Sequence, residues 1–237
     1  MGRAFEYRKE KKFKRWDAMA KNFTKAGREI SMAVKEGGSD PNSNAKLRMA
    51  IQNAKGYQMP KDRIEAAIKR ATSKDEGDFE EIVYEGYGPH GVAMIIECAT
   101  DNSTRTVANV RMHFNRGNGS LGTQGSVNFM FDRKGLITIE KSKINLEEIE
   151  LDLIDGGAED IQQDDEMVYI YCPFTDFGTM AHKIEELQLE IKQAELVRLP
   201  QTKVKLSDED QEQIYSLIDR FEEDEDVVNV FHNMEEE

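Results

Sequence analysis

Apolar residues between positions 19 and 71 recur every three or four residues, the spacing of one face of an α-helix. A first helix is predicted from Asp17, an N-cap candidate, to Gly37-Gly38, where two glycines favour a helix end. A second follows the polar turn 39–44 and stops near Gly56, and a third starts at Pro60. These three short amphipathic helices predict a small bundle whose alanine-rich core is marginal by itself.

Beyond a polar linker at 72–79 the pattern changes to short apolar runs. Val92–Cys98 predicts a buried strand, and a helix with Val107, Val110 and Phe114 on one side follows a polar turn. A second strand is predicted at 127–131. The interpretation is a β-α-β unit that opens with a glycine-rich loop at 84–91.

The next part of the chain carries a complete six-element pattern in the order β-α-β-β-α-β. This order is that of a ferredoxin-like fold, in which two helices cover one face of an antiparallel sheet. The predicted elements are strand 136–140, helix 146–154, strand 158–163, strand 167–172, helix 177–189 and strand 191–199.

The C-terminal segment predicts one helix, capped at Ser207–Asp210, and one strand at 227–231. A lone helix and strand cannot enclose a core, so we expect them to return and complete the middle unit. The predicted class is α+β, with an N-terminal three-helix bundle, a middle α/β domain completed by the C-terminus, and an inserted ferredoxin-like domain. The predicted domains are 1–76, 80–134 plus 206–237, and 135–205.

Charge is distributed unevenly along this chain of net charge −14. Residues 1–74 carry 19 Lys and Arg against 8 Asp and Glu, a net of +11. Residues 75–237 carry 13 against 38, a net of −25. Such asymmetry indicates a nucleic-acid-binding arm joined to an acidic body. The alternative, helices merely solvated by Lys and Glu, predicts mixed signs in the first 74 residues.

The basic residues interleave with Phe5, Tyr7 and Phe13 near the N-terminus, a pattern that can neutralise phosphates and stack on bases. An unanchored tail without function is the alternative. No helix carries a dense set of base-reading side chains, so backbone or shape recognition is favoured. The candidate nucleic-acid-binding residues are Arg8, Lys9, Lys11, Lys12, Lys14, Arg15, Lys21, Lys25, Arg28, Lys46, Arg48, Lys61, Arg63, Lys69 and Arg70.

A second candidate surface lies around the glycine-rich loop. Aromatic and cationic groups on a loop held by a rigid unit are typical of binding surfaces. The alternative is that the tyrosines pack against a neighbouring domain. Gly86-x-Gly88-x-x-Gly91 precedes a strand instead of opening a helix, which argues against a dinucleotide site. The residues of this candidate surface are Tyr84, Glu85, Tyr87, His90, Arg105 and Arg111.

Chemistry for catalysis is not indicated. Four histidines lack metal-ligand spacing, no nucleophile or P-loop motif occurs, and Cys98 falls in a buried strand pattern. We therefore expect no enzyme activity, no catalytic residues, no metal and no cofactor. The chain lacks an apolar run of membrane-spanning length and an N-terminal signal peptide, and two isolated cysteines cannot form a disulfide framework. A reducing cytoplasm is the expected location.

Several long motifs resemble the YebC/PmpR family, and the resemblance covers nearly the whole chain. The motifs are Gly37-Gly38-Ser39-Asp40-Pro41-Asn42-x-Asn44, Leu47-Arg48-x-Ala50-Ile51, Met59-Pro60-Lys61-Asp62-x-Ile64-Glu65-x-Ala67-Ile68-Lys69-Arg70, Tyr84-Glu85-Gly86-Tyr87-Gly88-Pro89, Thr100-Asp101-Asn102-x-x-Arg105-Thr106, Leu121-Gly122-x-x-Gly125-Ser126-Val127 and Arg133-Lys134-Gly135. Two departures stand out. The family usually begins Gly-His-Ser-Lys-Trp-Ala-Asn-Ile, which this chain lacks, and His90 occupies a position where glycine is usual.

The resemblance implies a three-domain protein of a family described both as DNA-binding transcriptional regulators and as ribosome-associated factors that help translation through proline-rich stretches. Our main expectation is a non-enzymatic DNA-binding transcriptional regulator. The alternatives are a translation factor that binds ribosomal RNA, and an acidic protein-interaction scaffold. Expected partners are therefore DNA or ribosomal RNA, together with proteins of the ribosome or the transcription machinery, and no membrane.

Overall fold

The computed structural model describes residues 19–73 and 79–236, and the side chains from residue 22 onward within them. These residues form an α+β fold, as predicted. In chain order the elements are α1 (Met19–Gly37), α2 (Ala45–Gly56), α3 (Lys61–Ala71), β1 (Glu80–Tyr87), β2 (Ala93–Thr100), α4 (Ser103–Arg116), β3 (Ser120–Leu121), β4 (Phe131–Glu140), α5 (Leu146–Asp155), β5 (Asp160–Gln163), β6 (Met167–Pro173), α6 (Phe177–Glu186), β7 (Ile191–Pro200), α7 (Asp208–Glu222) and β8 (Val227–His232).

The N-terminal bundle has its own core of small and branched residues, including Ala26, Ile30, Leu47, Ile64 and Ala67. The α1–α2 connection is fixed by the amide of Asn44. Its Oδ1 accepts from the backbone N–H of Leu47, and its Nδ2 donates to the carbonyls of Ala33 and Gly38 at 2.7 and 2.8 Å. A Cβ on Gly37 would approach this amide to 2.7 Å, so the glycine leaves room for the cap.

The first sheet has the strand order β3-β1-β2-β8, and all its neighbours are antiparallel. Helices α4 and α7 cover one face, where the rings of Phe114 and Phe221 meet edge to face at 4.9 Å. Strand β8 pairs with β2 from Met94 to Cys98. The C-terminus therefore completes the middle unit, as predicted.

The second sheet has the order β5-β6-β4-β7, also antiparallel throughout. Numbered within the insertion, this is 2-3-1-4, the strand order of a ferredoxin-like fold. Helices α5 and α6 lie on one face, where Leu153, Met180 and Ile184 pack against Ile137 and Ile170. The ferredoxin-like prediction is confirmed, whereas the proposed domain limits remain a prediction that these two sheets and separate cores support.

Two predicted elements of the middle unit were wrong. The segment from Tyr84 to Tyr87 is the end of strand β1, because a strand rich in Glu and Gly lacks the apolar run that the prediction required. Residues 128–130 form a 3-10 turn instead of a strand, and Phe131 begins β4 of the second sheet. The middle unit is therefore built on a β-hairpin followed by a helix, not on β-α-β.

The bundle contacts both sheets. Asn53 of α2 pairs with the outer edge of β7: its Nδ2 donates to the carbonyl of Ala194 at 2.8 Å, and its Oδ1 accepts from the Ala194 N–H at 2.9 Å. One amide thereby imitates a neighbouring strand and covers an edge that would otherwise present unpaired backbone groups. On the other side, Arg28 of α1 reaches the middle unit, donating to the carbonyl of Ala99 at 2.9 Å.

Candidate nucleic-acid interface

Helix α3 presents the most cationic face in the described part of the bundle. Ile64, Ala67 and Ala71 point into the core, so the remaining positions face outward. Four of these carry positive charge and all four are exposed: Lys61, Arg63, Lys69 and Arg70. A row of exposed cations along one helix can contact successive phosphates.

The two sides of this face differ. Lys61 has a side chain 86% exposed and lies 3.6 Å from Glu65, one turn further along, so its charge is partly balanced. Arg63 and Arg70 are seven residues apart, which places them on one side of the helix about 10 Å apart along the axis. Exposed Ala66 lies between them. The guanidinium of Arg63 stands 5.9 Å from the ring of Phe23, a cation–π contact that restrains it without neutralising it.

Lys46 and Arg48 of α2 point outward but have local partners. Lys46 is bonded to Glu36, and Arg48 lies 3.7 Å from Glu185 and donates to the carbonyl of Pro41 at 2.9 Å. All four charged side chains of these two pairs are well exposed. Exposed ion pairs are weak, so a phosphate can compete for either cation.

Arg28 was wrongly placed on the phosphate-binding surface. Its side chain is only 13% exposed and its Nη1 lies 3.1 Å from Oδ1 of Asp226. Helical periodicity put Arg28 on the outer face of α1, but that face is covered by the middle unit. Lys25 also faces the middle unit, where its Nζ donates to the carbonyl of Val228 at 3.2 Å. Both residues therefore join the bundle to the middle unit.

The predicted cations of the N-terminal arm lie outside the described residues. These are Arg8, Lys9, Lys11, Lys12, Lys14 and Arg15, and the side chain of Lys21 is likewise outside the description. Their role in nucleic-acid binding stays a prediction.

Arg105, predicted to belong to the loop surface, is half exposed and binds a buried carboxylate. Asp226 has a side chain only 4% exposed and accepts from Nη2 of Arg105 at 2.9 Å and from Thr106 Oγ1 at 2.9 Å. Asn102 caps α4 by accepting from the Arg105 N–H at 3.0 Å. Burial opposes ionisation of Asp226, but the hydrogen bonds from Arg105 and Thr106 and the charge of Arg28 bring its pKa below the ordinary value.

Glu85 was also predicted to be a surface residue, and it is buried, with 5% of the residue exposed. Its carboxylate accepts three backbone N–H groups, from Gly125 at 2.7 Å and from Val127 and Asn128 at 2.8 Å. Burial opposes ionisation, yet these three hydrogen bonds lower the pKa of Glu85. The side chain thus holds the glycine-rich 122–128 segment against β1.

The tyrosines of this region serve packing and not a binding surface, although they pack within the middle unit and not against a neighbouring domain. Tyr84 is half-buried against the core under α4 and α7. Tyr87 packs with Val127 and Phe131 on the opposite face of the sheet, and its hydroxyl donates to the carbonyl of Ser126 at 3.3 Å. The two tyrosines therefore stabilise the middle unit, and neither is displayed as a stacking platform.

His90 and Arg111 remain at the surface. His90 is exposed, and its Nε2 lies 3.4 Å from Oδ1 of Asp210. Its backbone has φ of 60°, in the left-handed region where glycine is favoured. Arg111 on α4 is exposed, and its part in a binding surface stays a prediction.

Sequence reasoning missed the role of Asp226. It lies in a run of acidic residues, Glu222–Asp226, in which composition alone favours a solvated turn. Beside it is an open cavity of about 730 Å³ between α1, α4 and α7, whose lining includes Arg105, Arg116, Arg220 and His113. Cations and carboxylates alternate there, so the cavity has no single sign of charge.

Within residues 19–73 and 79–236, no group of three or more His, Cys, Asp or Glu is arranged to hold a metal ion. Burial raises the pKa of Cys98 to about 12 and that of Cys172 to about 11, so both remain thiols at neutral pH. No helix in the described ranges is long and apolar enough to cross a membrane.

Comparison with known proteins gives the family. Residues 3–74 match the TACO1/YebC protein N-terminal domain, and residues 79–234 match the TACO1/YebC second and third domain. The chain belongs to the TACO1/YebC family. The motif resemblance noted in the sequence is thereby confirmed.

Full-length relatives and a solved structure agree with this assignment. A "Probable transcriptional regulatory protein" of Cytophaga hutchinsonii is 54% identical over 100% of this chain and 99% of its own length. One of the same name from Flavobacterium johnsoniae is 52% identical over the whole of both chains. The crystal structure of the conserved hypothetical protein Aq1575 from Aquifex aeolicus superposes with a TM-score of 0.82 at 36% identity, covering 92% of this chain and 90% of that one.

Proposed function

We propose that this protein is a non-enzymatic, DNA-binding regulator of transcription that contacts the phosphate backbone through α3 and the basic N-terminal arm. The exposed cationic face of α3 carries the proposal. Arg63 and Arg70 lie on the same side of this helix, and no carboxylate lies between them. The names of the relatives, probable transcriptional regulatory proteins, support regulation of transcription as the process.

The chemistry of α3 favours backbone contact over base reading. Guanidinium groups bind phosphate oxygens in a bidentate manner, and such contacts position a protein on a duplex without reading its sequence. The outward positions of α3 include no Asn or Gln. Binding of this kind is expected to be strongly salt-dependent and only weakly sequence-dependent.

A pair of matched variants tests the assignment. Arg63→Gln with Arg70→Gln removes two charges from α3, whereas Lys203→Gln with Lys205→Gln removes two charges from an exposed segment after β7. If α3 holds the phosphates, the first variant lowers duplex-DNA affinity at 50 mM salt at least about tenfold and flattens the salt slope by about 1.8, and the second changes little. Equal losses in both variants would reject α3 as the interface.

The same titration, repeated with RNA as competitor, identifies which nucleic acid the protein prefers. Ribosomal RNA fragments competing for labelled protein more strongly than duplex DNA of equal length at equal salt would contradict the DNA assignment. Equal or weaker competition by RNA supports it.

A further inference from the structure

Helices α5 and α6 cover one face of the inserted sheet. The opposite face carries an acidic and aromatic row. Asp160, Tyr171, Leu136 and Glu195 are register partners on β5, β6, β4 and β7. Paired residues in an antiparallel sheet project to the same side. Because Ile170, next to Tyr171, packs under α5 and α6, this row projects to the opposite side. It is called the open row below.

Aromatic surface accompanies the carboxylates. Tyr171 is half-buried in the row, and Tyr169, two residues earlier on β6, points the same way. The hydroxyl of Tyr169 donates to Asp164 at 2.8 Å. Burial raises the pKa of Tyr171, and the charges of Asp160 and Glu195 raise it further. The electrostatic potential around the Tyr171 ring is therefore negative, which favours binding of a cation against the face of the ring.

Carboxyl groups of the two other units lie close by. Burial, together with the charges of Glu195 and Glu81, raises the pKa of Glu29 on α1 to about 7 against the opposing charge of Lys25. Glu195 of the insertion therefore lies near acids of the bundle and of β1. One cation on the same face of the sheet, Lys134, is bonded to Glu159.

The cationic segment nearest in the chain is the N-terminal arm, residues 1–18, which lies outside the described residues. It carries seven Lys and Arg against three Asp and Glu. Glu29 is ten residues beyond Met19, about 15 Å along α1. Eighteen extended residues span up to about 60 Å, so the arm can reach the open row from the start of α1.

We propose that the N-terminal arm binds the open row when no nucleic acid is present and leaves it when phosphates compete for the same lysines and arginines. This inference rests on the proposed function, since it describes regulation of the same arm. A tethered segment acts at an effective concentration of about 1 mM, which favours the arm over a basic segment of another protein. Tyr171 supplies a cation–π surface, and Asp160 and Glu195 supply the opposite charge at either end of the row.

The proposed contact between the arm and the open row weakens non-specific binding of nucleic acid. Every phosphate contact made by the arm must replace a contact with the open row, so weak nucleic-acid sites are disfavoured. Sites that also engage α3 gain enough contacts to displace the arm. The acidic insertion is thus a competitor for the protein's own basic segment.

Zero-length carbodiimide crosslinking of the full chain without nucleic acid tests the contact, because it joins only amines and carboxylates that touch. The expected products join Lys9, Lys11, Lys12 or Lys14 to Asp160 or Glu195, and they disappear at about 0.5 M salt or with excess duplex DNA. The matched control is the outward acids of α5, Glu147 and Glu150. Arm crosslinks that favour α5, or none to the open row, would overturn the inference even if the protein binds DNA.

Affinity provides a second test. Asp160→Asn with Glu195→Gln is expected to raise DNA affinity about three- to tenfold, and Glu147→Gln with Glu150→Gln, of equal net charge, to raise it less. The difference in DNA affinity between these two double variants must vanish when the cations of the arm are also changed to Gln. These cations are Arg8, Lys9, Lys11, Lys12, Lys14 and Arg15. Persistence of the difference would overturn the inference. Absence of DNA and RNA binding by every variant would instead reject the proposed function, and the crosslinks alone would then decide the arm contact.

Discussion

Arg28 of the bundle and Asp226 of the middle unit form a nearly buried ion pair, with 3.1 Å between Nη1 and Oδ1. The two residues are 198 positions apart in the chain. Arg105 binds the same carboxylate from α4, so one acid holds two guanidinium groups from two structural units. The pair fixes the bundle against the middle unit and removes Arg28 from the nucleic-acid surface.

Asp226→Asn is expected to lower the free energy of unfolding by about 3 kcal/mol, because it leaves two arginines without their shared counter-charge. Urea denaturation followed by circular dichroism measures the change. Glu225→Gln is the control, since the Glu225 side chain is 85% exposed and lies 4.0 Å from Arg28.

The same variant has a pH signature. The pKa of Asp226 is lowered below 3.8 in the folded state, so its contribution is complete above pH 3.8 and is lost as the pH falls through the folded value. The stability gap between the wild type and Asp226→Asn should therefore narrow below about pH 4. A gap that stays constant down to pH 2 would contradict the ion-pair account.

Glu85→Gln is expected to lower the free energy of unfolding by about 2 to 3 kcal/mol. The carboxylate accepts hydrogen bonds from backbone N–H groups, and the amide of Gln would place its own N–H group against them. The loss should be accompanied by faster hydrogen exchange at Gly125, Val127 and Asn128, whose N–H groups bond to Glu85. Glu81→Gln, at an exposed position of the same strand, is the control. Unchanged exchange at the three amides would show that another contact holds the segment.

His90→Gly is expected to stabilise the protein by about 1 kcal/mol, since His90 has φ of 60° and a Cβ is strained there. Thermal unfolding measures the gain. His90→Ala is the matched control: it removes the imidazole but keeps the strain. A gain of equal size in both variants would assign the effect to the side chain and not to the backbone.

Glu29→Gln should change how stability depends on pH. The folded pKa of about 7 lies above the ordinary 4.5, so the folded state retains a proton between these values. The wild type is therefore expected to lose stability as the pH rises from 4.5 to 7, and the variant is not. Urea midpoints at pH 4 and pH 8 test this: equal at pH 4, with the variant more stable at pH 8. The opposite order at pH 8 would contradict a raised pKa.

Periodicity was enough to predict the helices and the insertion. The bundle helices end close to Gly37, Gly56 and Ala71. The six elements of the insertion occur in the predicted order, and β6 carries a continuous apolar run at 167–172. Strand β1 was missed since Glu80, Glu81, Glu85 and Gly86 interrupt its apolar residues. Its Glu85 is an acceptor for backbone donors 40 positions away, a contact that no local pattern reveals.

Charge counting was less reliable for individual residues than for the segment. The cationic excess of residues 1–74 indicated the bundle as an interface, and α3 does expose Lys61, Arg63, Lys69 and Arg70. Arg28 is nearly buried and Arg105 is half exposed, yet both bind the buried Asp226, because tertiary packing brings that carboxylate to both. Which arginine faces solvent depends on how units far apart in sequence pack together.

The salt dependence of duplex-DNA binding by the unmodified full chain tests the central claim most directly. Fluorescence anisotropy between 50 and 200 mM salt should give a log K against log salt slope near −5, as expected for about six phosphate contacts at −0.9 each. A slope near zero, or no binding at 50 mM salt, would contradict the account.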